Sequence, residues 1–273
     1  MIYKENIYTT RELEPGFWRI GNSGVFMDLI VGEHHGLLFD TGYGFGSLKA
    51  AMEQITDKPL YVVNSHGHVD HACGNAQFGT AYIHPDDIAL CMEHNTPVYR
   101  KMELEVAEVP MDFDMDTYLG LGPGSLKPVG EGYIFDLGGI TLEVLELPGH
   151  TAGSIGLYCP ERKLLYVGDA MNCFVWLFLP EARNLDTYIR TLHKAAAIPF
   201  THMIQSHEPD PVPKRKLWDY LDLAEHLDYE SGLPVPAPGY DGDARICTRN
   251  RIHHDDRNHP GYAAILIAKD KKL

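Results

Sequence analysis

The chain has 273 residues, 44% of them apolar and 22% charged, the balance of a globular protein with a sizeable core. Its formal net charge of −15 argues against nucleic acid or an anionic membrane as partner, because such a surface repels phosphate. No run of about 18 apolar residues offers a membrane span. The opening residues Met1–Asn6 lack an apolar core and are followed by Arg11, Glu12 and Glu14, which predicts no secretory leader.

In chain order, β-branched and aromatic runs between turn residues predict strands over 17–21, 25–31 and 36–40. A helix follows over 46–55, then a buried strand over 60–64 that runs into His66-Gly67-His68-Val69-Asp70-His71. Next come a short strand at 81–83 and a helix over 85–93 with Pro85 at its start. The segment from about 95 to 130 breaks the rhythm, with the acidic, methionine-rich Met111-Asp112-Phe113-Asp114-Met115-Asp116 at its centre. It reads either as a lid or insert over a site, or as a helix with a plain surface loop. Strand signals return at 133–135, 140–147, 154–158 and 164–167. A helix over 185–197, a strand at 202–205 and a second helix over 213–229 follow. The tail after Gly232 is turn-rich and closes in the apolar run 262–268. There is no internal repeat, and two βαβ-like halves in one domain over 1–273 fit the pattern. Cys73, Cys91, Cys159, Cys173 and Cys247 are odd in number and unpaired in spacing, which predicts reduced thiols in a cytoplasmic protein.

The chemistry concentrates after the strand over 60–64. Imidazole and carboxylate are ligands for zinc and its first-row neighbours, and four of them fall within six residues. Three further candidates share the same placement. His150 lies in the turn Pro148-Gly149-His150-Thr151-Ala152-Gly153-Ser154 after one strand, Asp169 follows Gly168 after another, and His207 follows a third. Open α/β sheets gather their active-site loops at such C-terminal strand ends. Asp169 has the alternative of capping the segment behind it, and Asp40 in Phe39-Asp40-Thr41-Gly42 that of a turn residue. Asn172, Phe174, Trp176 and Phe178 line either a substrate pocket or the core, and Met111, Phe113 and Tyr118 are further pocket candidates.

With these motifs in this order from Asp40 to His207, the sequence resembles the metallo-β-lactamase-fold hydrolase superfamily. The resemblance implies an α/β (α+β) fold: an αββα four-layer sandwich with two central mixed β-sheets and a dinuclear metal site at the sheet edge. His66, His68 and His150 would bind the first ion, Asp70, His71 and His207 the second, and Asp169 would bridge them. Asp70 and Asp169 would be catalytic as well as ligating, with Asp40 orienting a ligand from behind. The cofactors implied are two divalent ions, zinc by default and iron or manganese as alternatives.

Two cations about 3.5–4 Å apart would share a hydroxide that attacks a small ester, thioester or lactone. The alternatives are a small-molecule phosphodiesterase and a persulfide dioxygenase-like oxidoreductase holding one iron. Departures from the family's branches narrow the field. The full Asp/His set disfavours β-lactam hydrolysis, and the short, strand-like tail does not fit the helical domain of glyoxalase II-type thioesterases. Asn172 stands where lactonases place a tyrosine shortly after the bridging aspartate. A small-molecule substrate is expected, with no nucleic acid and no membrane, and a homo-oligomer is left open.

Overall fold

The computed structural model describes residues 7–105, 107, 114–237 and 240–272. Met111 and Phe113 lie outside the described residues. Seven strands form the first sheet in chain order: β1 (Thr9–Glu14), β2 (Phe17–Asn22), β3 (Val25–Val31), β4 (Gly36–Phe39), β5 (Leu60–Val63), β6 (Thr80–Ile83) and β7 (Ser125–Pro128). The sheet is mixed. β1 to β4 meander antiparallel, whereas β4 to β7 run parallel and need crossovers, the first carrying α1 (Leu48–Glu53).

The second sheet has the order β14-β13-β11-β10-β9-β8 and is also mixed. Its strands are β8 (Ile134–Asp136), β9 (Thr141–Glu146), β10 (Ile155–Cys159), β11 (Leu164–Gly168), β13 (His202–Gln205) and β14 (Val212–Pro213). The period-2 side-chain alternation decides how the sheets stack. Phe17, Ile30, Leu37, Phe39 and Val63 of the first sheet meet Leu142, Val144, Ile155, Leu157 and Tyr166 of the second in one buried layer. On the far side of the first sheet, Ile20, Met27, Leu29 and Leu38 receive Leu48, Ala51 and Met52 of α1. The outer face of the second packs against α6 (Leu185–Ala197) and α7 (Lys216–Glu225) through Tyr188, Leu192, Leu217 and Tyr220. The layers are therefore helix, sheet, sheet, helix, as the motifs implied.

A third sheet lies outside that scheme. β12 (Phe174–Leu177) pairs in parallel with β17 (Ala264–Ala268), and the hairpin of β15 (Leu233–Ala237) and β16 (Tyr240–Thr248) completes it. This corrects the expectation of a turn-rich tail, because Pro234, Pro236, Gly239 and Gly242 mask two strands. β1 was not foreseen either: almost every residue in it is exposed, so it lacks an alternating apolar face.

The described part of the 95–130 segment folds as α4 (Pro97–Glu103), α5 (Met115–Leu119) and β7. Tyr118 is 1% exposed, packs against Phe45 with ring centroids 5.3 Å apart and lies under Arg100, so it is core and not a pocket residue. No helix among the described residues is long and apolar enough to cross a membrane.

Candidate metal centre

Strand direction brings the candidate ligands together. β4 and β5 run parallel, as do β11 and β13, and β9 points the same way because both β9 and β11 are antiparallel to β10. Their C-terminal ends share one edge, and from these ends emerge Asp40, His66, His150, Asp169 and His207 in turn. The helical turn α2 (Val69–Ala72), entered through His68, carries Asp70 and His71, and the His71 ring lies 4.1 Å from that of His66. The loop of His207 is clasped by the β2–β3 hairpin: Phe26 N–H donates to Ser206 O at 2.7 Å, and the buried Arg19 guanidinium donates to Gln205 O and Glu208 O. Gly168 has φ +54°, and a Cβ there would lie 2.5 Å from that of Ser65, so the two sheets' ligand loops touch where only glycine fits.

Two groups result. His66 Nε2 and His150 Nε2 lie 3.1 and 3.0 Å from His68 Nδ1. Beside them, Asp70 Oδ2 is 3.3 Å from His71 Nε2 and 3.4 Å from His207 Nε2. Asp169 Oδ2 sits between the groups, 3.2 Å from His207 Nε2, 3.7 Å from His71 Nε2 and 3.9 Å from His150 Nε2. Zinc–nitrogen bonds of about 2.0–2.1 Å at a tetrahedral angle would separate two nitrogens by roughly 3.3 Å, close to what the three histidines show. Within the buried cluster, His71 Nε2 and Asp169 Oδ1 have no hydrogen-bond partner, which a cation would remedy.

The outer nitrogens test the fit further. His68 Nε2 faces Glu181 Oε1 at 2.7 Å, and His71 Nδ1 faces Asp40 Oδ2 at 2.9 Å. His150 Nδ1 faces Trp176 O at 3.0 Å, and His207 Nδ1 faces Gly24 O at 3.1 Å. Carboxylate and carbonyl oxygens only accept, so each of these four nitrogens carries the proton. His66 Nδ1 lies 2.9 Å from Ser65 Oγ, whose own hydroxyl donates to Asp40 Oδ2 at 2.8 Å, so His66 donates there too. The outer contacts thus leave the inner nitrogen of each of the five imidazoles as the one that would offer its lone pair to an ion, the tautomer that ligation requires. The donor set fits two divalent ions.

Electrostatics divide the site. Burial, followed by the neighbouring His71 and His68, holds His66 well below the usual imidazole range. Burial and then His68 bring His150 down to about 4. Burial also acts to lower His71 and His207, but Asp70 and Asp169 outweigh it and hold both well above that range. For Asp70 and Asp169 burial acts upward and is overcome by these same histidines, leaving both carboxyls well below the ordinary carboxylate range.

All seven expected ligands converge, and Asp40 stands behind His71 with its carboxylate also taking the Ser65 N–H at 2.7 Å. Sequence reasoning missed Glu181, Ser65 and the carbonyls of Gly24 and Trp176, none of which belongs to a motif. His94, also outside the motifs, stacks on His68 at 5.1 Å and on Tyr99 of α4 at 4.2 Å, so that α4 of the 95–130 segment forms part of the site's wall. Beside that wall, burial followed by the charge of Asp70 raises the Glu103 carboxyl to about 7.

The pocket residues divide. Phe174 and Trp176 are partly exposed, and Asn172 accepts Phe174 N–H at 2.8 Å. Phe178 is fully buried in a small core with Ala244, Leu266 and Ala268, so it does not line an open pocket. A cavity of about 610 Å³ lies elsewhere, between the end of α7 and the β15–β16 hairpin, and none of the seven ligands lines it.

Residues 20–230 match the family model described as the Metallo-beta-lactamase superfamily, whose members typically bind divalent metals. The acyl-coenzyme A thioesterase MBLAC2 of Bos taurus is 27% identical over 211 residues, 67% of this chain and 70% of that protein. Hydroxyacylglutathione hydrolase of Rhizobium meliloti (strain 1021) is 27% identical over 153 residues, 55% of this chain; the match spans about half of that protein, 48%. A solved metallo-beta-lactamase from Pontibacter korlensis shares the fold, with a TM-score of 0.57 at 17% identity over 80% of this chain and 99% of that one. The chain belongs to the metallo-beta-lactamase superfamily.

Proposed function

We propose that this member of the metallo-beta-lactamase superfamily is a dinuclear metal-dependent hydrolase of a small thioester. The observation that carries the reading is the convergence of five inward imidazole nitrogens and two carboxylates at one sheet edge. His66, His68 and His150 would hold the first ion; Asp70, His71 and His207 would hold the second, with Asp169 Oδ2 between. Two bound cations would supply a nucleophilic hydroxide at neutral pH and polarise the carbonyl under attack. Zinc is our choice of metal, on the ligand types alone.

The chain's own residues do the rest. Asp40, Ser65, Glu181 and the carbonyls of Gly24 and Trp176 hold the imidazoles in register, so no reorientation is needed when charge develops. Asp70, with its side chain 18% exposed, would take the proton of the attacking water and pass it to solvent. His94 and Tyr99 limit water on one flank.

The ionised Glu181 carboxylate beside His68 disfavours a phosphodiester at the reacting centre, whereas a thioester is neutral there. A thiol has a pKa of about 8.5, so the leaving thiolate needs little help from a general acid, and no such group has to be found. The thioester-hydrolysing relatives, acyl-coenzyme A thioesterase and hydroxyacylglutathione hydrolase, support this choice. The five cysteines are all unpaired, in keeping with a reducing, cytoplasmic setting.

The test is a panel of thioesters, oxygen esters, lactones and phosphodiesters offered to the zinc-loaded protein, before and after chelation. Thioesters should give the highest kcat/KM, and chelation should abolish it. A phosphodiester preference, or a rate unchanged by chelation, overturns the reading.

A further inference from the structure

Asp87 lies outside every motif, 1% exposed, at the residue that opens the helix α3 (Ile88–His94). Aspartate at that position ordinarily caps its own helix, yet its carboxylate makes no cap bond. It turns instead to two other loops. Oδ2 accepts Gly67 N–H at 2.9 Å and Thr151 Oγ–H at 2.7 Å, and Oδ1 accepts Gly153 N–H at 2.7 Å.

Both loops are shaped to receive it. A Cβ at Gly153 would lie 2.7 Å from Asp87 Oδ1, and one at Gly67 would lie 2.8 Å from Asp87 O. Thr151 is fixed in turn by Ser154, whose Oγ is 2.8 Å from its hydroxyl and accepts its N–H at 3.1 Å.

The three donors are not scattered with respect to the metal centre. Gly67 separates His66 from His68, and Thr151 and Gly153 follow His150 directly. One carboxylate therefore ties together the two loops that carry all three histidines of the first group. Among the described residues, none of its hydrogen bonds reaches Asp70, His71 or His207.

We propose that Asp87 is a positioning residue for the first ion alone, setting the spacing of His66, His68 and His150 and leaving the second ion's affinity untouched. The inference rests on the two-ion reading above. Replacing Asp87 by alanine leaves the Gly67 and Gly153 N–H groups without their acceptor, leaves the Thr151 hydroxyl only Ser154, and frees the loops from one another. Asp87→Asn keeps one oxygen, and its amide can donate to Thr151 Oγ, so one backbone bond is lost. Thr151→Val removes one strand of the same tie from the other side. Loss of a group that orients metal ligands from behind typically lowers metal affinity about 10- to 100-fold.

The experiment titrates apo protein with cobalt(II) alone, reading the visible absorption of the bound ion and its stoichiometry, in competition with a chelator. His68→Ala and His207→Ala supply reference spectra for protein lacking the first or the second site. The expected order of first-ion affinity is wild type, then Asp87→Asn and Thr151→Val, then Asp87→Ala about 10- to 100-fold weaker. The ion that remains should give the spectrum of His68→Ala. If Asp87→Ala does not fold by circular dichroism, Asp87→Asn and Thr151→Val carry the test. Equal weakening of both ions, or no weakening in the folded variants, overturns the proposal while the metal centre stands. A wild-type chain that takes up no cobalt overturns the metal centre itself, and this proposal with it.

Discussion

Asp40→Asn should weaken metal binding without unfolding the protein, for a reason that lies in proton positions rather than in shape. Asp40 is fully buried with φ +66°, a left-handed backbone that asparagine tolerates well. Its two oxygens accept three bonds, from Ser65 N–H, Ser65 Oγ–H and His71 Nδ1–H. In the variant, the amide oxygen keeps Ser65 N–H and the NH2 group turns toward Ser65 Oγ and His71 Nδ1. Every bond is then remade, provided Ser65 donates to His66 and both imidazoles move their proton to the inward nitrogen.

Metal cannot bind that arrangement. Restoring the lone pairs requires the amide to flip and to abandon Ser65 N–H, a buried donor whose loss costs about 1–3 kcal/mol. That is roughly a 5- to 150-fold loss of affinity. Ser65 links His66 to Asp40, so both imidazoles revert together, and the penalty falls on whichever ion binds first. Chelator competition on wild type and variant should show a weakened first step, a second step close to wild type, and an apo melting temperature shifted by only a few degrees. Wild-type affinity in both steps would refute the proton argument.

Three other outcomes are expected. His68→Ala and Asp169→Ala should each abolish metal-dependent thioester cleavage while keeping the far-ultraviolet circular dichroism of the wild type; full activity in either sinks the mechanism. Gly168→Ala puts a Cβ at φ +54° within 2.5 Å of Ser65 Cβ, so it should lose about 2 kcal/mol or more in urea unfolding and bind less metal; a neutral result would show that the loops can part. Asp28 is buried against Arg19, and burial raises its carboxyl to about 6, with the charge of Arg19 opposing and that of Asp40 adding. A folded value above the unfolded one means that this contribution is complete below about pH 4 and is lost as pH rises toward 6. Urea titrations at pH 4.5 and 7 should show Asp28→Asn gaining on the wild type as pH rises; a relative loss would reverse the assignment.

The candidate ligands were legible because each is an imidazole or carboxylate at or just beyond a strand end, and a strand end is marked by apolar periodicity. The strands showed by the same signal, with Val25–Val31, Leu60–Val63 and Leu164–Gly168 each long and apolar enough, whereas their stacking into a sandwich came only with the family resemblance. What escaped lacks local grammar. Glu181 sits in a loop between β12 and α6 and meets His68 across more than a hundred residues, and Asp87 looks from sequence like an ordinary helix cap. Phe178 stays open between pocket and core in the sequence because the aromatic run Phe174–Phe178 gives no hint of which alternate side chains point inward until β17 pairs beside it.

That pairing also gives the metal centre a schedule. Among the described residues β12 has no strand neighbour but β17, and it is a carbonyl of β12, at Trp176, that holds the outer nitrogen of His150. A ribosome delivers β17 roughly 90 residues after Trp176, on the order of 5–20 seconds later at about 5–20 residues per second. Asp70, His71, Asp169 and His207 have all been made well before then. Every residue of the second group is therefore synthesised before the strand that pairs with β12, the strand whose Trp176 carbonyl faces His150.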